Sequence, residues 1–157
     1  MAVLNNKAER LLIEGNVGAI EVQIDMPTLS EAQPNARGLA IVAHPHPLFG
    51  GTMDNKVAQT LAKTFSGLGY MTVRFNFRGV GQSAGKHDAG NGETDDLRAA
   101  TAWVREQRPN DAVWLAGFSF GAYVSLRAWD SIRPQALISI APPAGRGWDF
   151  ASLRTPS

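Results

Sequence analysis

A continuous apolar run, GLAIVAHP (38–45), and two further strand-like stretches, YMTVRFNF (70–77) and AVWLAGF (112–118), are separated by segments whose apolar residues recur at helical spacing. Runs of that kind are strands buried on both faces, and strands alternating with helices fold by right-handed crossovers into a parallel sheet covered on both sides. The first interposed segment, Asp54 to Leu68, carries Val57, Leu61, Phe65 and Leu68 on a stripe widened by Ala58 and Ala62, and Gly67 and Gly69 end it. The second helix is predicted to start near Thr94, with Asp95 and Asp96 in a first turn whose dipole favours acids. Leu97, Ala100 and Val104 mark its buried face, and Pro109 lies beyond its end. A third helix follows in FGAYVSLRAWDSI, then a last strand, ALISIAPP (136–143). The chain opens differently: ERLLIE and VGAIEVQI, split by Gly15-Asn16, read as a tight hairpin and hence an antiparallel start. The expected fold class is α/β, a mostly parallel sheet with helices on both faces, in a single domain over 1–157.

The chain's 157 residues suffice to bury about two-thirds of the surface the unfolded form exposes. With 44% hydrophobic and 18% charged residues it has the composition of a globular protein rather than a disordered one. The formal charge is +1 and the basic residues are scattered, so nothing draws a polyanion and no nucleic-acid partner is expected. The absence of cysteine excludes disulfides, thiolate metal sites and a cysteine nucleophile. The N-terminus, MAVLNNKAERLLIEG, lacks a signal-peptide pattern, and no stretch approaches the roughly 18 apolar residues that span a bilayer. A cytoplasmic protein with no membrane partner is the expectation.

The strand AVWLAGF ends in Gly117-Phe118-Ser119-Phe120-Gly121, a G-x-S-x-G pattern at a strand-to-helix junction. A serine hydroxyl must be exposed, deprotonated as it attacks and matched by donors for the oxyanion that forms. The tight turn does the first job, and Gly117 and Gly121 remove side chains that would collide with neighbouring backbone. The helix that follows aims its first N–H groups at the reaction centre, with the Phe120 N–H placed to meet an oxyanion. The third strand runs into HPHPLFGG, at the same carboxyl rim of the sheet, where ligands bind in open α/β folds. Pro45 and Pro47 carry no N–H, so only His44, His46, Leu48 and the residues beyond can donate. The H-x-H pair would need further ligands to hold a metal, and His87 is the only other histidine, so no metal and no cofactor are expected. The loop RGVGQSAG carries Gly79, Gly81 and Gly85 but opens no helix, and it reads as turns beside the site rather than as a dinucleotide loop.

The stretches AHPHPLFGGTMDNKV, VRFNFRGVGQSAG, LAGFSFGAYVSLRA and ISIAPPAGRGWDF together resemble the α/β-hydrolase superfamily, and within it the small lidless bacterial, dienelactone-hydrolase-like acyl hydrolases. The resemblance runs from about residue 40 to 150. It implies a serine hydrolase of esterase type in which Ser119 attacks a small acyl ester and passes through an acyl-enzyme. It further implies that the loop after the third strand supplies the second oxyanion donor, assigned here to the backbone N–H of His46 with Leu48 as the fallback. In that family the triad acid and then the histidine follow the serine on loops after further strands. No histidine follows Ser119 in this chain, and Asp130 and Asp149 occupy the wrong elements for the acid. The resemblance therefore implies an α/β-hydrolase fold without its last strands and helices, nearly inactive in this form.

Two classes of function follow. One is the serine hydrolase with a small-molecule acyl substrate. The alternative is a non-catalytic binding or assembly module that uses an open sheet edge. ALISIA is expected to be that edge, with Leu137, Ile138 and Ile140 uninterrupted by proline or charge and available for self-association.

Overall fold

In the computed structural model, which describes residues 7–153, the chain begins as a hairpin of β1 (Glu9–Gly15) and β2 (Gly18–Asp25). Residues 1–6 of the N-terminal reading lie outside the described residues. The register pairs Gly15 with Gly18, so Asn16 and Val17 form the turn, one residue on from the expected Gly15-Asn16. The remaining strands are β3 (Leu39–Ala43), β4 (Met71–Phe75), β5 (Val113–Phe118) and β6 (Ala136–Ile140), and the sheet order is β1-β2-β4-β3-β5-β6. β4, β3, β5 and β6 run parallel, and β2 joins β4 antiparallel. β4 and β5 thus flank β3 on opposite sides, so the loops leaving β3 and β5 diverge around a crevice at the carboxyl edge.

Among the described residues three α-helices cover the two faces: α1 (Lys56–Gly67), α2 (Asn91–Gln107) and α3 (Phe120–Ile132). Residues of β3 divide between them. Leu39, Ile41 and Ala43 join the core under α2 and α3, whereas Ala40 and Val42 pack with Ala58 and Phe65 under α1. Every residue of β3 and β4 is buried, β3 as its unbroken apolar run requires, and β4 with Arg74 donating to the Met53 carbonyl at 2.8 Å.

Two helix details differ from the sequence expectation. The buried line of α1 is Ala58, Ala62 and Phe65, while Leu68, expected on the stripe, is its exposed C-cap. Small alanines let the helix approach the sheet, and the larger Val57 and Leu61 flank the contact. α2 begins at Asn91 rather than near Thr94, because the fully buried Glu93 carboxylate turns back to accept the N–H of Gly90 at 3.0 Å and of Asp88 at 2.9 Å. That reach supplies partners for N–H groups at a helix start, and it advances the helix by most of a turn.

The glycine loop after β4 is fastened from both sides. Asp96, on α2, accepts from the backbone N–H of Arg78 at 2.9 Å and from its guanidinium at 2.9 Å. Ser83 Oγ donates to the Asn76 carbonyl at 2.7 Å and accepts from the Glu21 N–H at 2.9 Å. The loop is therefore tied to α2 through Asp96 and to β2 through Glu21.

Candidate active site

The register that pairs Ala43 with Gly117 sets the last residue of β3 beside the end of β5, so the histidine-proline loop and the serine turn emerge next to one another. Ser119 adopts φ 55° and ψ −115° between β5 and α3. A side chain at positive φ is strained, and such strain concentrates where a fold holds a functional group in place. The reason the chain can turn here is the pair of flanking glycines. A Cβ on Gly121 would lie 2.1 Å from the Ala43 carbonyl oxygen, and one on Gly117 would lie 2.4 Å from that of Gly121. The Ser119 carbonyl accepts from Ala122 at 2.9 Å, and its N–H donates to Ile140 at 2.9 Å, tying the turn to the end of β6. The N–H of Phe120, first residue of α3, has no acceptor among the described residues.

The histidines of the loop have different surroundings. His44 is fully buried, its ring edge-on to Phe77 at 4.6 Å. Its Nε2 accepts the N–H of Phe77 at 3.0 Å, so Nδ1 carries the proton and donates to the Pro45 carbonyl at 2.7 Å. Burial lowers its pKa to about 4, against a smaller upward pull from the Pro45 carbonyl. An unfolded histidine takes its proton near pH 6.5, so the unfolded chain binds more protons in between. The contribution of neutral His44 is complete above about pH 6.5 and is lost as the pH falls toward 4, a total of about 3 kcal/mol. Urea midpoints across this range should fall with acidification in the parent and much less in His44→Gln; parallel profiles would exclude His44 as the cause.

His46 leads into a single 3-10 turn, Pro47–Phe49, and lines a cleft of about 690 Å³ with Phe49, Ser119, Phe120, Arg146 and Trp148. Its carbonyl accepts from Phe49 at 3.1 Å and Gly51 at 3.0 Å, and its Nδ1 accepts from Leu48 at 3.1 Å. The Leu48 N–H is thereby engaged, which removes the fallback donor, whereas the backbone N–H of His46 has no acceptor among the described residues. Of the phenylalanines near the serine, Phe120 is core at 1% exposed and Phe49 stands out at 86%.

Other residues of this site were not assigned a role from sequence. Trp148, Arg146 and Pro143 come from the segment after β6 and form the far wall, with Trp148 packed on Phe120 at 5.2 Å and on Tyr123 at 5.0 Å. The GRGW stretch carries no pattern that announces a wall; only its return over α3 places it. His87, likewise without a role assigned from sequence, lies 4.8 Å from His46 between ring centroids. Its Nδ1 lies 3.0 Å from the Glu93 carboxylate, close enough for an electrostatic contact but off the line of a hydrogen bond. Burial and the neighbouring His87 lower the pKa of His46, against a smaller opposite pull from Glu93.

Comparison with known proteins gives consistent relatives. The family model of the X-Pro dipeptidyl-peptidase (S15 family) matches residues 19–152. A crystal structure from Xanthomonas campestris, described as an α/β serine hydrolase without lid, is 50% identical with a TM-score of 0.93, covering 99% of this chain and 70% of that one. An α/β serine hydrolase homologue from Coxiella burnetii is 48% identical with a TM-score of 0.85, covering 97% and 70%. An uncharacterized protein of Rickettsia prowazekii is 38% identical over 149 residues, 92% of this chain and 60% of that protein's length. The chain thus spans about three-fifths of that curated relative. Among the described residues no helix is long and apolar enough to cross a membrane.

Proposed function

Because the chain belongs to the X-Pro dipeptidyl-peptidase (S15) family and shares the fold of the α/β serine hydrolases without a lid, we propose that Ser119 is the nucleophile of an esterase-type reaction on small acyl esters. The observation that carries this reading is the strained φ of Ser119, held between two glycines whose missing side chains would strike main chain. Ser119 Oγ attacks the ester carbonyl, the alcohol leaves with a proton, and water then releases the acid from the acyl-enzyme. The backbone N–H groups of Phe120 and His46 receive the oxyanion. Both lack an acceptor among the described residues, and both flank the cleft that contains the serine.

The base is a separate matter. The histidines of this sequence are His44, His46 and His87, all before Ser119, whereas the family order puts the triad histidine after the serine. His44 is buried and committed to Phe77 and Pro45, and the His46 Nδ1 is committed to Leu48. The 157 residues alone should therefore turn over esters several orders of magnitude more slowly than a complete triad, with residual activity from binding and the oxyanion donors. Prolonged incubation with an activated fluorophosphonate, followed by peptide mapping, should place a single adduct on Ser119. An adduct on another serine, or none, contradicts the assignment.

The proposed self-association rests on β6. It pairs only with β5 among the described strands, and Leu137 and Ile138, packed toward opposite faces, stay half-exposed along a strand with no proline or charge. Unprotected edges of that kind recruit further strands. Sedimentation velocity over a concentration series should show association at micromolar protein, and a monomer at every concentration would exclude this edge as an interface.

A further inference from the structure

The His46 ring is held in one orientation and one tautomer. Its Nδ1 accepts the N–H of Leu48, and a nitrogen that accepts from a backbone N–H carries no proton of its own. The neutral ring must then hold its proton on Nε2. Four rings fix its plane: Phe49 at 4.7 Å, His87 at 4.8 Å, Phe120 at 5.0 Å and Trp148 at 5.7 Å. Nε2 has no hydrogen-bond partner among the described residues, yet it is not among the buried unpartnered atoms, so solvent reaches it on a residue that lines the cleft. A second proton could enter only at Nδ1, by breaking the Leu48 bond, and burial beside His87 opposes the charge. A ring in that state is a donor. It has no lone pair to offer as a base in the cleft.

We propose that the Nε2–H of His46 is a hydrogen-bond donor to substrate, directed at the carbonyl oxygen of the ester and at the carboxylate of the acid released from it. This inference rests on reading the cleft as an ester-hydrolysing site. It adds a side-chain donor to the two backbone donors already assigned, and it makes His46 a residue that touches the reacting carbonyl without moving a proton. Neutral imidazole suits that task, since it polarises an oxygen while keeping its own proton.

The test uses the whole chain with isotope-labelled imidazoles and benzoate, an acid product analogue suited to aromatic walls. Nitrogen NMR should show His46 unprotonated at Nδ1 and protonated at Nε2 at neutral pH. Benzoate should shift the Nε2–H signal in the parent and equally in Ser119→Ala. His46→Asn places an amide oxygen where Nδ1 was, preserving the Leu48 bond, but it removes the outer donor; it should weaken benzoate about tenfold or more. His46→Gln places an amide N–H near the Nε2 position and should bind within about threefold of the parent. A proton on Nδ1, an unshifted Nε2–H at saturating benzoate, a shift confined to Arg146, or unchanged affinity in a folded His46→Asn would each overturn the proposal. Failure of phosphonate labelling in the parent would count against Ser119 alone, because the benzoate measurements do not require its hydroxyl.

Discussion

Gly121→Val is expected to lose about 4 kcal/mol or more of stability, at the top of the range for a single substitution, and to melt roughly 8–16 °C lower if it folds. The cause is the added Cβ itself, which would sit 2.1 Å from the Ala43 carbonyl oxygen and 2.6 Å from that of His44. Neither oxygen can retreat. Ala43 is the last residue of the central β3, paired with Phe75 on one side and Gly117 on the other. The helix would have to lift away instead, and α3 carries Phe120, Val124, Ala128 and Ile132 into the core. Branching at Cβ worsens the clash, but Gly121→Ala should suffer most of the same loss. Gly67→Ala is the control, because nothing lies within 4 Å of its Cβ, and it should stay within about 0.5 kcal/mol of the parent. Thermal unfolding of the three variants decides the matter, and a Gly121→Val protein that melts like the parent would remove the close contact from the account of the turn.

Ser119→Gly should abolish phosphonate labelling while raising stability by about 1 kcal/mol, or roughly 2–4 °C in melting temperature. The positive φ of Ser119, 55°, is a conformation that a residue with a Cβ holds at a loss of about 1–3 kcal/mol. Glycine relieves that loss and gives back about 0.5–1 kcal/mol through its freer unfolded chain. Ser119→Ala keeps the Cβ and the strain, so its stability should match the parent within about 0.5 kcal/mol while its labelling is equally absent. The hydroxyl is then separated from the strain: both variants lose the reaction, and only the glycine gains stability. Equal melting temperatures for the glycine and alanine variants would mean that the turn stores no strain, and labelling that survives in either would remove Ser119 as the nucleophile.

Much of the fold was legible from periodicity. The stretches at 38–45, 70–77 and 112–118 became β3, β4 and β5, because strands buried on both faces are largely apolar, and the buried Arg74 that interrupts β4 donates to the Met53 carbonyl and pairs with Asp25. The observed strands are shorter than the runs. β3 stops at Ala43 while the stretch read as strand continues through His44 and Pro45, since strand ends are set by where pairing ceases and not by hydropathy. The early start of α2 was hidden for a related reason: the side chain of Glu93 organises the turn before it, and a cap formed by a reaching carboxylate leaves no apolar period. The stripe on α1 was displaced because alanines, weak as hydropathy signals, were the residues small enough to lie against the sheet.

The candidate site divides along the same line. Local sequence by itself determined the α/β class and the serine turn, because a strand, a strained turn and a helix start are properties of contiguous residues. It also shows that His44, His46 and His87, the histidines of these 157 residues, all precede Ser119. Only the tertiary structure decided which groups share the cleft. The pairing of Ala43 with Gly117 brings the histidine loop to the serine, the return of the segment after β6 sets Trp148 and Arg146 opposite, and the start of α2 presses His87 between Glu93 and His46. These residues are far apart in sequence, and each contact depends on where whole elements pack, which no local pattern encodes. The tautomer of His46 belongs with them, because it follows from one hydrogen bond whose geometry exists only once the loop is folded against the aromatic rings.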